Sequence, residues 1–240
     1  MNILITICAR GGSKGIPGKN IKLINGKPLI DYTIKVANLF KEKFNCKISL
    51  STDDDIIKAV AVKSCLFTNY IRPEYLATDT AGKIDTLKDL LLYEETLVEY
   101  RYDFILDLDV TSPLRTLEDL EKALEILITN KDAKNLFSVN QAARNPYFNM
   151  VEKNSSGFYT LVKTNSDGSV TTRQSAPLVF DLNASFYWYK RTFFDLDEKS
   201  TITDKSLIYE MKHVCFDLDH QIDFDFMEYL LQNDKLDFEI

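Results

Sequence analysis

The feature that most constrains this chain is a glycine-rich, cationic stretch, residues 8–20, which directly follows a short apolar run. That run, residues 3–7, has the continuous hydrophobicity of a buried parallel strand, and a helix-like pattern begins at Pro28. The stretch contains four glycines and three cations, which are Gly11, Gly12, Gly15, Gly18, Arg10, Lys14 and Lys19. Glycines let backbone N–H groups approach a phosphate, and cations neutralise its charge. The stretch therefore predicts a loop that binds a polyphosphate, most simply a nucleoside triphosphate.

The spacing excludes two common phosphate loops. A P-loop has Ser or Thr after its Gly-Lys pair, whereas Asn20 follows Gly18 and Lys19 here, and Ser13 stands where the first glycine belongs. A dinucleotide fingerprint reads G-x-G-x-x-G, whereas these glycines are spaced G-x-x-G-x-x-G. A surface loop with scattered charges is the alternative, and the hydrophobic strand that leads into the glycines argues against it.

Strand-like and helix-like patterns alternate up to residue 139. Strands are predicted at residues 3–7, 47–51, 66–68, 104–108 and 133–139, and helices at 28–40, 56–63, 83–99 and 117–127. Residues 145–185 are rich in Asn, Ser, Thr and aromatics and predict a small β-rich insertion, followed by strands at 184–190 and 211–216 and a helix at 224–231. We predict one α/β domain over residues 1–240, with a mostly parallel, doubly wound, Rossmann-like sheet and a site at the strand carboxyl ends.

Composition limits the classes of function. The chain has 240 residues, 45% of them hydrophobic, enough for one domain with a modest insertion. A net charge of −7 argues against nucleic acid as a partner, since nucleic-acid binding usually needs a basic face. No signal peptide or long apolar run is visible, so we expect a cytoplasmic protein without a membrane contact. The four cysteines are interpreted as buried thiols in a reducing compartment.

Two pairs of carboxylates follow strand-like runs. Asp107 and Asp109 are two residues apart on one predicted strand. Side chains at this spacing lie on the same face of a strand, so both carboxylates are expected on one side, near the carboxyl end of the strand. Asp217 and Asp219 follow the predicted strand at 211–216, and such a pair suits a hard, oxygen-ligated cation. A helix N-terminus enriched in acids is the alternative, and Asp223 fits that interpretation.

The loop resembles that of the acylneuraminate cytidylyltransferase family, enzymes that make CMP-activated nonulosonic acids. The family loop reads Ala-Arg-x-x-Ser-Lys-Gly and then Lys-Asn, matched here by Ala9, Arg10, Ser13, Lys14, Gly15, Lys19 and Asn20. Further matches are Arg-Pro…Leu-Ala-x-Asp-Thr at residues 72–80, Thr-Ser-Pro-Leu-Arg at 111–115 and Asp-x-Asp at 217–219. The resemblance covers nearly the whole chain. It implies a nucleotide-diphospho-sugar transferase fold and transfer of CMP from CTP to a nonulosonic acid, with release of pyrophosphate.

The resemblance also implies roles for individual residues. Nucleotide-binding residues would be Ala9, Arg10, Gly11, Gly12, Ser13, Lys14, Gly15, Lys19, Asn20, Arg72 and Thr80, with Arg72 at the cytosine edge. Catalytic residues would be Arg10, Lys19, Asp217 and Asp219, the last two as ligands of Mg²⁺, or of Mn²⁺. Sugar-binding residues would be Asp109, Thr111, Ser112, Arg115, Arg173, Gln174 and Asn183. Arg173 suits the sugar carboxylate because its planar guanidinium binds carboxylates through two hydrogen bonds. The insertion at 145–185 would be a dimerisation arm that completes the site of the second subunit in a homodimer.

Three local departures from the N-acetylneuraminate enzymes occur together. Asp109 stands where those enzymes usually carry Gln, Lys83 begins the helix after Asp79-Thr80, and a Thr-Arg-Gln-Ser-Ala-Pro…Asn-Ala-Ser run covers residues 172–185. This combination is similar to bacterial synthetases that activate legionaminic acid, a 5,7-diacetamido nonulosonic acid. We therefore expect the diacetamido acid to be preferred and N-acetylneuraminate to be used less well.

Three alternatives stay open on the sequence. One is another sugar nucleotidyltransferase, acting on the eight-carbon acid Kdo or on a hexose phosphate. A second is a glycosyltransferase of the GT-A type, which would hold a metal on Asp107-x-Asp109 and release no pyrophosphate. The third is a nucleotide-binding module without catalysis, against which both Lys19-Asn20 and the Asp217/Asp219 pair argue.

Overall fold

The computed structural model describes residues 1–12, 15–165, 170–196 and 198–240, and its centre is a six-stranded sheet. With strands numbered in chain order, the sheet runs from one edge to the other as β10 (Ser206–Glu210), β6 (Asn135–Gln141), β9 (Phe180–Lys190), β5 (Phe104–Leu108), β1 (Ile3–Cys8) and β4 (Cys46–Ser51). Neighbours pair in parallel except β9, which is antiparallel to both β5 and β6. The predicted α/β fold with a mostly parallel sheet is confirmed.

The apolar run at the N-terminus is the buried strand that its composition predicts. From Ile3 to Ile7, each residue of β1 has an exposed fraction of 0%. Helices cover both faces of a parallel sheet, so an inner strand has no polar side. Burying one such aliphatic side chain stabilises the fold by roughly 1.5–3 kcal/mol. The strand is therefore a fixed base for the loop that follows it.

In the described part of the chain, five α-helices flank the sheet: α1 (Leu29–Lys43), α2 (Asp55–Lys63), α3 (Lys83–Val98), α4 (Leu117–Thr129) and α5 (Gln221–Gln232). The apolar side chains of α1, α2, α4 and α5 join one core, which contains Trp188. Those of α3 join a second core with Tyr189 and Phe193. The sheet thus has a helical layer on each face. Among the described residues, no helix has both the length and the apolar character needed to cross a bilayer.

Two local predictions were wrong. Residues 66–68 form no strand, because Thr68 bonds to the Leu50 carbonyl through its side chain instead of a backbone ladder. Residues 211–216 leave the sheet after β10, because the Asn140 amide takes up the carbonyls of Met211 and His213. The N-cap of α3 is Gly82, so Thr78, Asp79 and Thr80 lie in the segment before the helix.

Between β6 and β9 the chain leaves the sheet as an arm, residues 142–179. The arm contains a two-stranded antiparallel hairpin, β7 (Val151–Lys153) and β8 (Tyr159–Leu161). Two remaining short strands, β2 (Leu23–Ile24) and β3 (Lys27–Pro28), pair beside α1. Because β9 begins at Phe180, the last six residues of the predicted insertion belong to the main sheet.

Candidate active site

A cleft of about 440 Å³ lies at the carboxyl ends of β1 and β5. The loop after β1 contributes part of its lining, with Arg10, Gly15, Lys19 and Asn20. Segments before and within α3 contribute Arg72, Thr78, Asp79 and Lys83, and the segment after β5 contributes Asp109 and Thr111. Open α/β sheets bind ligands outside the carboxyl ends of their strands. This cleft therefore lies at the edge of the sheet where the sequence predicts a site.

The glycine-rich loop is anchored at several points. The Ala9 N–H donates to the Ser51 carbonyl at 3.0 Å, and the Gly11 N–H donates to the Asp53 carboxylate at 3.0 Å. The Asn20 amide donates to the Arg10 carbonyl at 2.9 Å, which closes the loop on itself. Ser13 and Lys14, both predicted to bind phosphate, lie outside the described residues.

Two glycines of the loop meet requirements that other residues would not. At Gly11 a Cβ atom would lie 2.5 Å from the Asp54 carboxylate, so any side chain would force that acid to move. Gly18 has a φ of 63°, in the left-handed region, and leads into the short 3₁₀ helix Lys19–Ile21. The loop therefore turns Lys19 back toward the cleft at a fixed place.

Two loop cations carry carboxylate partners from other segments. The Lys19 ammonium lies 3.0 Å from Asp219, whose side chain is 62% exposed. The Arg10 guanidinium lies 2.8 Å from Asp79, whose side chain is 41% exposed. Exposed ion pairs contribute little net free energy. A phosphate oxygen, as a stronger anionic acceptor, is therefore able to take the place of either carboxylate.

Arg72 also lines the cleft, where it is held rigidly. It is 6% exposed, and its Nε and Nη2 atoms donate to the Ser51 hydroxyl and carbonyl, each at 2.9 Å. The guanidinium plane is thus fixed before any ligand arrives. Thr80, by contrast, is exposed and contacts Thr78, and among the described residues it is Thr78 and Ala81 that line the cleft beside it.

Asp107, in β5, and Asp109, just after the end of β5, lie on the same side, as their spacing of two residues predicts. Both carboxylates contact the same lysine, Lys83. The Lys83 ammonium lies 2.8 Å from Asp107 and 3.0 Å from Asp109, and 4.6 Å from the centre of the Tyr187 ring. Burial alone would lower the pKa of Lys83, but the two carboxylates outweigh it and hold that pKa well above its usual value. Burial likewise opposes ionisation of Asp109, and Lys83 and Thr111 still keep its pKa low.

Asp217 and Asp219 lie on the acid segment, residues 211–220, which is bound to the cleft wall by a hydrogen bond from the Leu218 N–H to the Thr111 carbonyl at 2.8 Å. Asp217 has one buried carboxylate oxygen without a hydrogen-bond partner among the described residues. Burial, with help from Asp109 and Asp219, raises the pKa of its carboxyl. An unpaired, partly buried carboxylate oxygen of this kind suits a hard cation.

The cation would need ligands from the substrate as well. Within the described part of the chain, no three His, Cys, Asp or Glu side chains form a ready-made metal cage. Mg²⁺ is commonly held by one or two carboxylates together with substrate phosphates and water, so two aspartates beside a phosphate loop are a fitting donor set.

The geometry agrees with comparisons to known proteins. Residues 4–239 match the sequence profile of a family described as cytidylyltransferase. The chain belongs to the cytidylyltransferase family. It is 39% identical to the CMP-N,N'-diacetyllegionaminic acid synthase of Campylobacter jejuni, over 95% of this chain and 94% of that protein. It is also 39% identical to the post-translational flagellin modification protein B of Campylobacter coli, over 98% of this chain and 97% of that protein.

More distant comparisons agree with the fold of this cytidylyltransferase. An N-acylneuraminate cytidylyltransferase of Streptococcus agalactiae is 32% identical over 93% of this chain and 52% of its own length. A solved CMP:2-keto-3-deoxy-manno-octonic acid synthetase superposes with a TM-score of 0.68 at 16% identity, covering 98% of this chain and 100% of that one. The expected family, fold class and nucleotidyltransferase activity are confirmed.

Three predicted sugar-binding residues of the cytidylyltransferase lie inside the fold instead of in the cleft. Arg115 is 1% exposed, and its guanidinium donates to the carbonyls of Ser112 and Asp109, to that of Ser185, and to the Thr33 hydroxyl. Ser112 and Asn183 are also buried, and the Ser112 hydroxyl donates to the Asn183 carbonyl at 2.6 Å. Because their polar groups are used internally, these side chains support the cleft wall from behind.

The remaining sugar-binding predictions divide between two places. Asp109 and Thr111 line the cleft and bond to each other at 2.9 Å. Arg173 and Gln174 belong to a short 3₁₀ helix of the arm, where the Arg173 guanidinium donates to the Ala143 carbonyl. Within the described residues of one chain, neither of these two side chains lines the cleft.

Two features of the site were missed from the sequence. Lys83 was noted as a departure from related enzymes, but its pairing with Asp107 and Asp109 joins residues 24 and 26 positions apart, a contact that no local pattern reveals. The ion pair between Arg10 and Asp79 is of the same kind.

Proposed function

We propose that this cytidylyltransferase transfers CMP from CTP to a nonulosonic acid and releases pyrophosphate. The observation that carries the proposal is the 39% identity, over nearly the full length of both chains, with a protein named CMP-N,N'-diacetyllegionaminic acid synthase. The cleft supports it, because two loop cations, a fixed arginine and the carboxylate of Asp219 line one space, and Asp217, with its unpaired oxygen, lies two residues from Asp219.

In this proposal the loop holds the triphosphate. Arg10 and Lys19 exchange their exposed carboxylate partners for phosphate oxygens, and the backbone N–H groups of Gly12 and Gly15 add further donors. Arg72 faces the cytosine, where a rigid guanidinium is able to donate to the base carbonyl. Holding both substrates in line then supplies much of the rate acceleration.

The chemical step is a substitution at phosphorus. The anomeric hydroxyl of the sugar attacks the α-phosphorus of CTP and gives up its proton to solvent as the new oxygen–phosphorus bond forms. The bond from the α-phosphorus to the oxygen that bridges it to the β-phosphate breaks, and pyrophosphate leaves with that oxygen. Catalysis of such transfers rests on positioning and on charge neutralisation. Lys19 and Arg10 are placed to balance the charge that develops on the phosphates.

Asp217 and Asp219 would hold Mg²⁺, or Mn²⁺, beside the phosphates. The bound ion would neutralise phosphate charge and help to orient the reacting oxygens. The fit rests on the unpaired, buried oxygen of Asp217 and on the proximity of Asp219 to Lys19.

The sugar half of the site is proposed to come partly from a second subunit. Phe158, Tyr159 and Leu178 of the arm are 73%, 68% and 73% exposed, an arrangement that an isolated chain would not favour. A two-fold homodimer would bury them and bring Arg173 and Gln174 to the partner's cleft. Arg173 would bind the sugar carboxylate, and Gln174 a hydroxyl or acetamido group.

Among nonulosonic acids we propose a preference for the 5,7-diacetamido acid. The three local departures described above carry this preference, and Asp109 lies in the cleft wall where it would meet the sugar. An apolar pocket rejects an added hydroxyl only about a hundredfold. N-acetylneuraminate should therefore be used as well, with a lower kcat/KM.

The proposed compartment is the cytoplasm. All four cysteines lie within the described residues, and each is a free thiol; Cys65 is exposed, so the prediction of four buried thiols was wrong at that position. Unpaired thiols are the usual state in a reducing compartment.

A pyrophosphate-release screen tests the proposal. Several nonulosonic acids, Kdo and hexose 1-phosphates are each combined with CTP, ATP, GTP and UTP. The expected result is release only with CTP, fastest with the diacetamido acid. Release with a hexose phosphate, or turnover of a nucleotide sugar without pyrophosphate, would replace the proposed function with one of its alternatives.

A further inference from the structure

The geometry points to Lys83 as a built-in cation that fills a metal site formed by Asp107 and Asp109. In this account the lysine performs the work of a second divalent ion. It neutralises the two carboxylates and fixes them at the cleft wall, independently of the metal concentration. The inference concerns cation binding by the free protein, so it stands apart from the choice of sugar.

The contacts show a cation held from several sides. The Lys83 ammonium lies 2.8 Å from one oxygen of Asp107 and 3.0 Å from one oxygen of Asp109, and the Tyr187 ring lies beneath it at 4.6 Å. The lysine side chain is 31% exposed and lines the cleft. The ammonium is therefore at the boundary between the carboxylates and the space that the nucleotide would occupy.

Asp107 cannot do without a positive partner. Its residue is 0% exposed, and its other oxygen accepts a hydrogen bond from the Thr6 hydroxyl at 2.9 Å. A buried carboxylate without a paired charge is strongly destabilising. A carboxylate at this depth would also repel an anionic substrate unless it is neutralised. A cation at the Lys83 position removes both problems.

The two oxygens that contact Lys83 are also arranged as ligands for a metal. Asp-x-Asp at a strand end, with both carboxylates directed at one atom, suits a hard cation. Lys83 occupies that point, which explains why the Asp107-x-Asp109 motif is not available as the metal site of a glycosyltransferase in this chain. Removal of the lysine should therefore expose a cation site in place of a charged side chain.

The test measures Mn²⁺ binding to purified protein without nucleotide, by electron paramagnetic resonance, for the unmodified protein and Lys83→Ala. We expect Lys83→Ala to bind one more Mn²⁺ per chain than the unmodified protein. Its melting temperature should fall by about 10 °C in chelator, because a buried ion pair is broken, and should recover substantially when Mn²⁺ or Mg²⁺ is added.

Three further variants keep the test decisive. Lys83→Ala/Asp107→Asn removes the buried charge together with its partner, so it should fold well and lose the additional Mn²⁺ site. Lys83→Arg keeps the cation and should bind as many ions as the unmodified protein. Lys88→Ala, on the same helix, should change neither quantity. Equal Mn²⁺ binding by Lys83→Ala and the unmodified protein, with no stabilisation by metal, would overturn the inference and leave Lys83 as a structural ion-pair residue.

Discussion

The cleft beside β1 and the arm between β6 and β9 differ in how their side chains are held. In the cleft, Arg72 is 6% exposed and bonded twice to Ser51, and Lys83 is fixed by two carboxylates. In the arm, Phe158 and Leu178 are each 73% exposed. One chain thus contains a preorganised cleft, which we propose binds the nucleotide, whereas its arm presents unburied apolar surface. We infer that the sugar site needs the second copy.

The largest effect should come from removing the metal, which acts on the nucleotide side. Chelation with EDTA should abolish turnover, and Mg²⁺ or Mn²⁺ should restore it. Asp217→Asn should raise the Mg²⁺ concentration for half-maximal rate at least about tenfold, because it removes a charged ligand of nearly the same shape. Asp223→Asn is the matched control, since Asp223 accepts hydrogen bonds from the N–H groups of Asp219 and His220 at the start of α5. Full activity in excess chelator would eliminate the metal role.

The next effect concerns the loop. Lys19→Ala should keep the fold and lower kcat about a hundredfold or more, because one charge-stabilising contact is worth about 3 kcal/mol in the transition state. Circular dichroism checks the fold, and steady-state pyrophosphate release checks the rate. Lys41→Ala, an exposed lysine of α1, provides the control for loss of a positive charge. A Lys19→Ala protein with near-normal turnover would remove the loop from the mechanism.

A substitution in the arm should change a different kinetic constant, the KM for the sugar. Arg173→Ala should raise the KM for the sugar about tenfold or more, the cost of losing a charge-assisted hydrogen bond, and leave the KM for CTP nearly unchanged. Arg144→Ala, another exposed arginine of the same arm, should change neither constant. Equal effects on both substrates would mean that the arm does not separate sugar binding from nucleotide binding.

The smallest effect is on stability and tests how the acid segment is anchored. The His213 ring lies 2.9 Å from the Asp119 carboxylate of α4 and packs against the Phe238 ring at a tilt of 36°. Burial alone would lower the pKa of His213, but Asp119 raises it; burial would raise the pKa of Asp119, but His213 and Thr116 lower it. The stabilisation is therefore largest between about pH 3.9 and 6.5, and it is lost as the pH rises through the raised pKa of His213.

His213→Gln should accordingly lower the free energy of unfolding by about 1–2 kcal/mol near pH 5.5 and by less at pH 8.5, because the His213 ring of the unmodified protein loses its charge as the pH rises through its raised pKa. Denaturant melts at the two pH values measure the difference. His220→Gln, at a side chain that is 81% exposed, serves as the control. A loss of stability that grows toward pH 8.5 would contradict the assigned charge state.

The sequence predicted what depends on local pattern. The apolar run of β1 and the glycines after it predicted where the cleft lies. The spacing of Asp107 and Asp109 predicted that their side chains share one face, although it did not reveal Lys83 as their partner. Contacts between segments that are distant in the chain could not be predicted from local pattern. The insertion of antiparallel β9 between β5 and β6, and the displacement of the last strand to Ser206–Glu210, depend on which backbone groups pair across the sheet. Arg115 was assigned to the sugar because a motif cannot show that its donors are used internally.

The most direct test of the central claim is complementation between two defective proteins. Lys19→Ala impairs the nucleotide side, and Arg173→Ala impairs the arm. If each site combines the cleft of one chain with the arm of the other, co-expressed chains form mixed dimers with one intact site and one doubly defective site. Assayed at low sugar concentration, an equal mixture should regain about a quarter of the unmodified activity, since half of its dimers are mixed. A rate equal to the mean of the rates of the two single variants would contradict the claim, as would full activity of a protein that sediments as a monomer.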